Sequence, residues 1–121
     1  MSRVIFASHG GLSKGMKDSV SMIVGDLAKD VETYSLLPGQ NPEDYYLDLL
    51  KEAKESEEQI VILCDIKGGS VHTALSKLAV LDNVMVFSGM KMGLALDGVM
   101  KSLGQNLELA DANDLIEAAK E

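Results

Sequence analysis

The sequence has little cysteine, proline or tryptophan: its 121 residues include one cysteine, two prolines and no tryptophan. One cysteine cannot form a disulfide within the chain, which favours a reducing cytoplasm. No apolar run approaches the ~20 residues that a membrane-spanning helix needs. The chain passes from Met1-Ser2-Arg3 directly into strand-like residues, without the separate regions of a signal peptide. These absences together predict a cytoplasmic protein.

Basic residues are also scarce, with 11 lysines and arginines against 19 aspartates and glutamates and a net charge of −8. Proteins that bind nucleic acid need a basic surface, so this balance argues against a nucleic-acid partner. The chain has only five aromatic residues, three tyrosines and two phenylalanines, which gives a flavin-binding alternative no support. Hydrophobic residues make up 46% of the chain, enough for one globular domain spanning residues 1–121.

Short apolar runs alternate with segments of helical periodicity along the whole chain. The predicted strands cover residues 3–8, 31–36, 59–65 and 84–88, with a short fifth strand near 106–109. The predicted helices cover residues 12–29, a segment capped by Asn41, a segment opening at Ser70, residues 92–103 and a C-terminal segment from about 111. This alternation predicts an α/β fold, a three-layer, mostly parallel open sheet with helices on both faces.

Two polar segments follow predicted strands at the same edge of this sheet. The first strand, in the sequence VIFASHGG, ends at His9, which two glycines follow. The third strand, QIVILCD, ends at Asp65, and the sequence continues as IKGGS over residues 66–70. In open parallel sheets, ligands bind beyond the carboxyl ends of the strands where the strand order reverses. For a flavodoxin-like order 2-1-3-4, that point lies between strands 1 and 3, so we expect these groups at one crevice.

The groups at this crevice suit phosphoryl transfer to histidine. The neutral imidazole of His9 is a nucleophile near neutral pH, and the Asp65 carboxylate can fix its tautomer and balance positive charge on the ring. Backbone N–H groups in a glycine turn at a helix start, together with the Ser70 hydroxyl, can hold phosphoryl oxygens. We therefore take His9 and Asp65 as the catalytic candidates. The candidate phosphoryl-binding residues are Gly10, Gly68, Gly69 and Ser70.

These residues resemble those of a known family. His9-Gly10 after the first strand, with the sequence DIKGGS over residues 65–70 after the third, is similar to the enzyme IIA domain of the mannose family of the bacterial phosphoenolpyruvate:sugar phosphotransferase system. The likeness covers almost the whole chain, including the Pro-Gly-x-Asn over residues 38–41. One departure is Val71, which stands where the family usually has proline.

The resemblance implies a phosphocarrier function. His9 would take a phosphoryl group from the phosphocarrier protein HPr and pass it to an enzyme IIB component, which phosphorylates sugar entering through the membrane IIC and IID subunits. By position, Asp65 matches the family's acid that hydrogen-bonds the histidine, and Ser70 the hydroxyl beside the phosphoryl site. The family also implies a homodimer with an exchanged C-terminal antiparallel strand, transient association with the membrane transporter complex, and no metal or organic cofactor.

Two other functions compete with this interpretation. A IIA-like regulatory module would also be phosphorylated on His9, without serving sugar transport. A receiver-like signalling domain would instead be phosphorylated on Asp65. Receiver domains need an acidic pair at the end of strand 1 to hold magnesium, and this chain has Ser8-His9-Gly10 there.

Two further side chains near the predicted site are open to more than one interpretation. His72, two residues into the third predicted helix, is either a partly solvated bystander or a second phosphoryl acceptor. Cys64 precedes Asp65 in the buried strand and points away from it, because neighbouring side chains alternate along a strand. We interpret Cys64 as a small buried hydrophobe.

Overall fold

The structure, a computed structural model, describes residues 3–102. Four strands alternate with four helices in this range: β1 Arg3–His9, α1 Leu12–Val24, β2 Glu32–Leu36, α2 Pro42–Glu55, β3 Ile60–Cys64, α3 Ser70–Leu75, β4 Val84–Ser88 and α4 Met92–Ser102. Short 3-10 helices extend α1 over Gly25–Ala28 and α3 over Ser76–Val80. The predicted alternation is confirmed. The strand predicted near 106–109, the helix predicted from about 111 and the exchanged C-terminal strand lie outside the described residues.

The strands form one sheet in the order β2-β1-β3-β4, and every neighbouring pair is parallel. This is the strand order predicted for a flavodoxin-like fold. In the pairing of β1 with β3, Ala7 lies opposite Cys64. The residues that follow this pair, Ser8-His9 at the end of β1 and Asp65 after β3, therefore lie side by side at the carboxyl edge of the sheet.

Helices cover both faces of the sheet, as predicted. All five residues of β3 are buried, because this central strand has helices above and below it. One core lies between the sheet and helices α1 and α4 and contains Val4, Phe6, Val20, Val61, Leu63, Leu94, Ala95 and Val99. The other lies between the sheet and helices α2 and α3 and contains Ile5, Ala7, Leu49, Ala53, Ile60, Ile62, Val71 and Leu75.

Helix α1 is shorter than the predicted helix over residues 12–29. It ends at Val24 because Gly25 adopts φ 64°, a backbone conformation that terminates a helix and that glycine reaches at little cost. The chain then continues as the 3-10 helix, so the predicted apolar stripe does not continue to its end. Val20 is buried, whereas Ile23 is 61% exposed and Leu27 is 47% exposed.

The start of α1 is held by strand β1. The N-cap residue, Gly11, has no side chain to cap the helix. Instead, the buried Ser8 hydroxyl accepts the backbone N–H of Ser13 at 2.8 Å. Ser13 in turn donates its hydroxyl to the carbonyl of Tyr34 at 2.9 Å. Two buried serines thus tie β1, α1 and β2 together directly beneath His9.

Contacts between distant segments hold the amino edge of the sheet. The Asn83 side-chain amide lies 3.1–3.2 Å from the carbonyl oxygens of Ala53, Ser56 and Glu58. It therefore links the start of β4 to the end of α2 and to the segment before β3. Arg3 donates two hydrogen bonds to the Glu32 carboxylate, at 2.7 and 2.8 Å.

No helix within residues 3–102 combines the length and the apolar character that crossing a bilayer requires.

Candidate functional site

The two residues predicted to act together meet at the carboxyl edge of the sheet. His9 is the last residue of β1 and Asp65 follows the last residue of β3. One carboxylate oxygen of Asp65, Oδ2, accepts the backbone N–H of His9 at 2.9 Å and lies 2.7 Å from Nδ1 of its ring. The other oxygen, Oδ1, accepts the backbone N–H of Ile66 at 3.0 Å. The carboxylate thus fixes both the main chain and the ring of the histidine.

This contact determines which ring nitrogen of His9 carries the proton and which carries the lone pair. An ionised carboxylate only accepts hydrogen bonds, so Nδ1 carries the proton that bonds to Asp65. In the neutral ring Nε2 then has the lone pair, and it accepts the Ser70 hydroxyl at 2.9 Å. The His9 side chain is 46% exposed, whereas that of Asp65 is only 9% exposed. The His9 side chain is therefore accessible from the surface, whereas the carboxylate that orients it is nearly buried.

The surroundings of Asp65 favour its charged form. Burial on its own would raise the pKa of this carboxyl. The hydrogen bonds from the backbone and ring of His9, the positive charge of a protonated His9 ring and the N–H of Ile66 more than compensate, and the pKa of Asp65 is lowered from its ordinary value. A carboxylate that stays ionised is what a histidine needs when its ring gains positive charge.

The loop between β3 and α3 requires glycine at two positions. Gly68 has φ 78°, in the left-handed region that side chains other than glycine rarely adopt. Gly69 has ordinary φ but no room for a side chain: an added Cβ would lie 2.6 Å from Cγ2 of Ile66 and 3.4 Å from Cε1 of His9. The second glycine thus lets the loop pass directly beside the histidine ring, which brings Ser70 to Nε2.

The backbone N–H groups of the three glycines are not free in this structure, in contrast to the expected cradle of open amides. Gly10 donates to the carbonyl of Leu36 at 2.9 Å, and Gly69 to the carbonyl of Ile66 at 3.2 Å. Gly68 donates to Nδ1 of His72 at 3.1 Å. The glycines therefore shape the loops around His9, while the Ser70 hydroxyl is the donor that faces its ring.

His72 is thus more than the bystander considered from the sequence. Its ring reaches back over one helical turn to the glycine loop, a contact that the sequence signals only through the four-residue spacing from Gly68. Cys64 fits its interpretation as a small buried hydrophobe: it has no exposed surface, and burial raises the pKa of its thiol to about 12.

Apolar groups surround the histidine. A cleft of about 430 Å³ lies beside it, lined by Gly10, by Leu36 at the end of β2 and by residues 37–40 of the β2–α2 loop. Leu12, Leu37 and Ile66 stand in the segments that follow β1, β2 and β3, and each is at least half exposed. Exposed apolar side chains around a polar centre are typical of a surface that contacts another protein.

The described residues include no group of three or more His, Cys, Asp or Glu side chains that could hold a metal ion. At the site itself, the His9 ring and the Asp65 carboxylate are hydrogen-bonded to each other.

Comparison with known families gives one match over nearly the whole chain. The model of the EIIA-man family, described as the PTS system fructose IIA component, matches residues 3–116. The sorbose-specific EIIA component of the PTS of Klebsiella pneumoniae is 33% identical over 117 residues. That alignment covers 95% of this chain and 82% of the relative.

Solved structures with the same fold include two from streptococci. The phosphotransferase system component EIIA of Streptococcus agalactiae superposes with a TM-score of 0.83 at 21% identity, covering 99% of this chain and 93% of that one. The PTS IIA protein associated with the fucose utilization operon of Streptococcus pneumoniae gives a TM-score of 0.75 at 27% identity, covering 99% of this chain and 92% of that one.

Proposed function

Because this chain belongs to the EIIA-man family, the mannose-type IIA components of the sugar phosphotransferase system, we propose that Nε2 of His9 carries the phosphoryl group. Membership of the family implies a phosphocarrier role in sugar uptake. The observation that supports the assignment to one atom is the chain of contacts from Asp65 through His9 to Ser70, at 2.7 and 2.9 Å. It places the ring proton on Nδ1 and leaves the lone pair on Nε2, where the neutral hydroxyl of Ser70 is its partner.

The transfer is a displacement at phosphorus. The lone pair of Nε2 attacks the phosphoryl group of a phosphohistidine donor, a bond from phosphorus to Nε2 forms, and the bond to the donor's nitrogen breaks with its electron pair returning to that ring. Nδ1 of His9 keeps its proton throughout. The positive charge that the ring gains is balanced by the Asp65 carboxylate, whose lowered pKa keeps it ionised.

Ser70 would change partners during this step. Its hydroxyl donates to Nε2 in the unphosphorylated protein. Once that nitrogen bonds to phosphorus it no longer accepts a hydrogen bond, and the hydroxyl can rotate to a phosphoryl oxygen. The rotation needs no movement of the backbone, so α3 and the glycine loop keep their positions.

The donor and the acceptor in this proposal are proteins. In keeping with the family, HPr supplies the phosphoryl group and an enzyme IIB component receives it, with sugar entering through the membrane IIC and IID subunits. The exposed apolar residues Leu12, Leu37 and Ile66, which follow strands at the same carboxyl edge as His9, support docking by a protein surface. Transient association with the transporter, action of residues 1–121 as one domain, and a homodimer remain predictions that we carry forward.

Purified enzyme I, HPr and phosphoenolpyruvate provide the direct test. We expect the wild-type chain to become phosphorylated in a form that is labile in acid and stable in alkali. The chain has two histidines, so mass mapping must find the group on the peptide containing His9 and not on that containing His72. His9→Gln should not be labelled, although it should still unfold in one cooperative thermal transition as a folded protein does. Labelling of His9→Gln to the wild-type extent would refute the proposal.

A second stage of the same experiment separates transport from regulation. Phosphorylated protein is mixed with purified IIB components, and transfer is followed by loss of label from this chain. Transfer to a IIB component supports the transport role, whereas stable phosphorylation without transfer to any of them favours a regulatory module.

The receiver-like alternative has little support in the geometry. Oδ2 of Asp65 already accepts two hydrogen bonds from His9, Oδ1 accepts one from Ile66, and the side chain is nearly buried. An aspartyl phosphate would be labile in alkali, so the same labelling experiment distinguishes it.

A further inference from the structure

His72 holds the loop that carries Ser70 to the histidine. The residue lies in the first turn of α3, and its ring nitrogen Nδ1 accepts the backbone N–H of Gly68 at 3.1 Å. A backbone N–H only donates, so Nδ1 has its lone pair free and the ring proton is on Nε2. His72 is therefore in the opposite tautomer to His9, whose Nδ1 donates.

The next residue of α3 contacts the same glycine. Thr73 directs its hydroxyl toward the carbonyl of Gly68 at 3.4 Å, and its backbone N–H donates to the carbonyl of Gly69 at 2.8 Å. Side chains in the first turn of α3 thus contact both the N–H and the carbonyl group of Gly68. Glycine is the most flexible residue in an unfolded chain or a mobile loop, so these contacts restrict the part of the loop with the most freedom.

The consequence for the site follows from the close fit of Gly69. A Cβ added to Gly69 would clash with Cγ2 of Ile66 at 2.6 Å and would be in van der Waals contact with Cε1 of His9 at 3.4 Å, so the backbone at this position lies close to both residues. A shift of Gly68 would therefore be transmitted to Gly69 and then to Ser70, whose hydroxyl must stay within hydrogen-bond distance of Nε2 of His9.

We propose that His72 is a positioning residue for phosphoryl transfer: its Nδ1, through the N–H of Gly68, holds the glycine loop so that Ser70 faces the reacting nitrogen. The proposal rests on the function proposed for His9. A second role for His72 as a phosphoryl acceptor is tested separately, by the mass mapping of the labelled peptide.

Three substitutions at position 72 test this assignment. Asn places its Oδ1 the same number of bonds from the backbone as Nδ1 of histidine, so His72→Asn should keep the acceptor for Gly68. Gln places its oxygen one bond further away, and Leu has no acceptor. Asparagine and histidine have similar helix propensities and leucine has a higher one, so slower transfer by His72→Leu could not be assigned to a weaker helix.

Two measurements are made on each variant. The first is the single-turnover rate of phosphoryl transfer from phosphorylated HPr, with binding to unphosphorylated HPr measured separately. The second is protection of the Gly68 amide against hydrogen exchange by NMR, which does not depend on phosphorylation. We expect His72→Leu to react about 3- to 10-fold more slowly, in line with the loss of one uncharged hydrogen bond. We expect its HPr affinity to be unchanged and its Gly68 protection to be lost.

The pattern across the variants decides the question. Rates and protection close to wild type in His72→Asn, with both reduced in His72→Gln and His72→Leu, support the assignment. Equal rates and equal protection in all three variants would overturn it. A wild-type chain that is not labelled at all would refute the function proposed for His9, and the exchange data would still show whether position 72 holds Gly68.

Discussion

The two edges of the sheet are both built from contacts between distant segments, but they differ in what is left exposed. At the amino edge, the Asn83 amide is shared among three carbonyl groups and Arg3 is paired with glutamates. At the carboxyl edge, the contacts between Asp65, His9 and Ser70 orient a histidine whose side chain is 46% exposed. Similar hydrogen bonds therefore tie distant segments together at one edge and orient an accessible imidazole ring at the other.

This comparison predicts that the edges can be damaged independently. A change at the carboxyl edge should lower the rate of transfer more than it lowers stability, and a change at the amino edge should do the reverse. Unfolding by urea and transfer from phosphorylated HPr, measured on the same variants, provide the two scales.

Among substitutions that leave His9 in place, the largest effect is expected for Asp65→Asn. The substitution removes a charge-assisted hydrogen bond to Nδ1, and its amide N–H can instead donate there, which favours the tautomer with the proton on Nε2. We expect transfer from phosphorylated HPr to slow by about 10- to 100-fold. Asp82→Asn is the matched control, because Asp82 is an exposed aspartate beside the amino edge. Equal rates for the two variants would contradict the role of Asp65.

At the amino edge, Asn83→Ala should lower the free energy of unfolding by about 1–2 kcal/mol, because carbonyl groups of Ala53, Ser56 and Glu58 lose a donor. Transfer to His9 should stay at the wild-type rate. Asn83→Asp keeps the size of the side chain but places a carboxylate against the same carbonyls, and it should be less stable than Asn83→Ala. An Asn83→Ala variant as stable as wild type would remove the distinction between the two edges.

The charge on Asp65 also gives the carboxyl edge a pH dependence of stability. Its pKa is lower in the folded chain than its ordinary value of about 3.9. Its contribution is therefore fully present above that ordinary pKa and is lost as the pH falls through the lowered folded value. The difference in unfolding free energy between wild type and Asp65→Asn should narrow as urea titrations move from pH 7 to below pH 4. A constant difference would contradict the lowered pKa.

The smallest effect is expected away from both contact networks. Gly15 lies inside α1, and an added Cβ would meet nothing within 4 Å. Gly15→Ala should stabilise the chain by about 0.5–1 kcal/mol, because alanine loses less backbone freedom in a helix. Transfer should be unchanged. A slower transfer would show that α1 is coupled to the site and that effects on the rate are not confined to the carboxyl edge.

Much of the fold could be predicted from local patterns. The alternation of apolar runs and helical periods indicates a parallel sheet covered on both faces, and the uninterrupted apolar run before Asp65 indicates a central strand. The end of α1 was harder, because a helical apolar period continues past Gly25. The positive φ of this glycine is a local backbone feature that the periodicity of apolar residues does not indicate.

The residues of the site can be predicted from the sequence, but most of their hydrogen-bond partners cannot. The topology brings strand ends together, so a histidine and an aspartate at those ends had to be neighbours. The destinations of the glycine amides depend on details of three loops, including Leu36 and Ile66 as acceptors. The contacts of His72 and Asn83 depend on where a ring or an amide lies in the folded chain, which no pattern of residue types reports.

The position of Nε2 of His9 has a kinetic consequence. A ring with one nitrogen committed to Asp65 offers a single point of attachment at a single surface. Under the function proposed for His9, the protein that delivers a phosphoryl group and the protein that removes it must bind at that surface in turn, with no ternary complex between them. Turnover should therefore follow a double-displacement scheme with parallel reciprocal plots. An excess of either partner protein in its unreactive form should slow the reaction with the other partner.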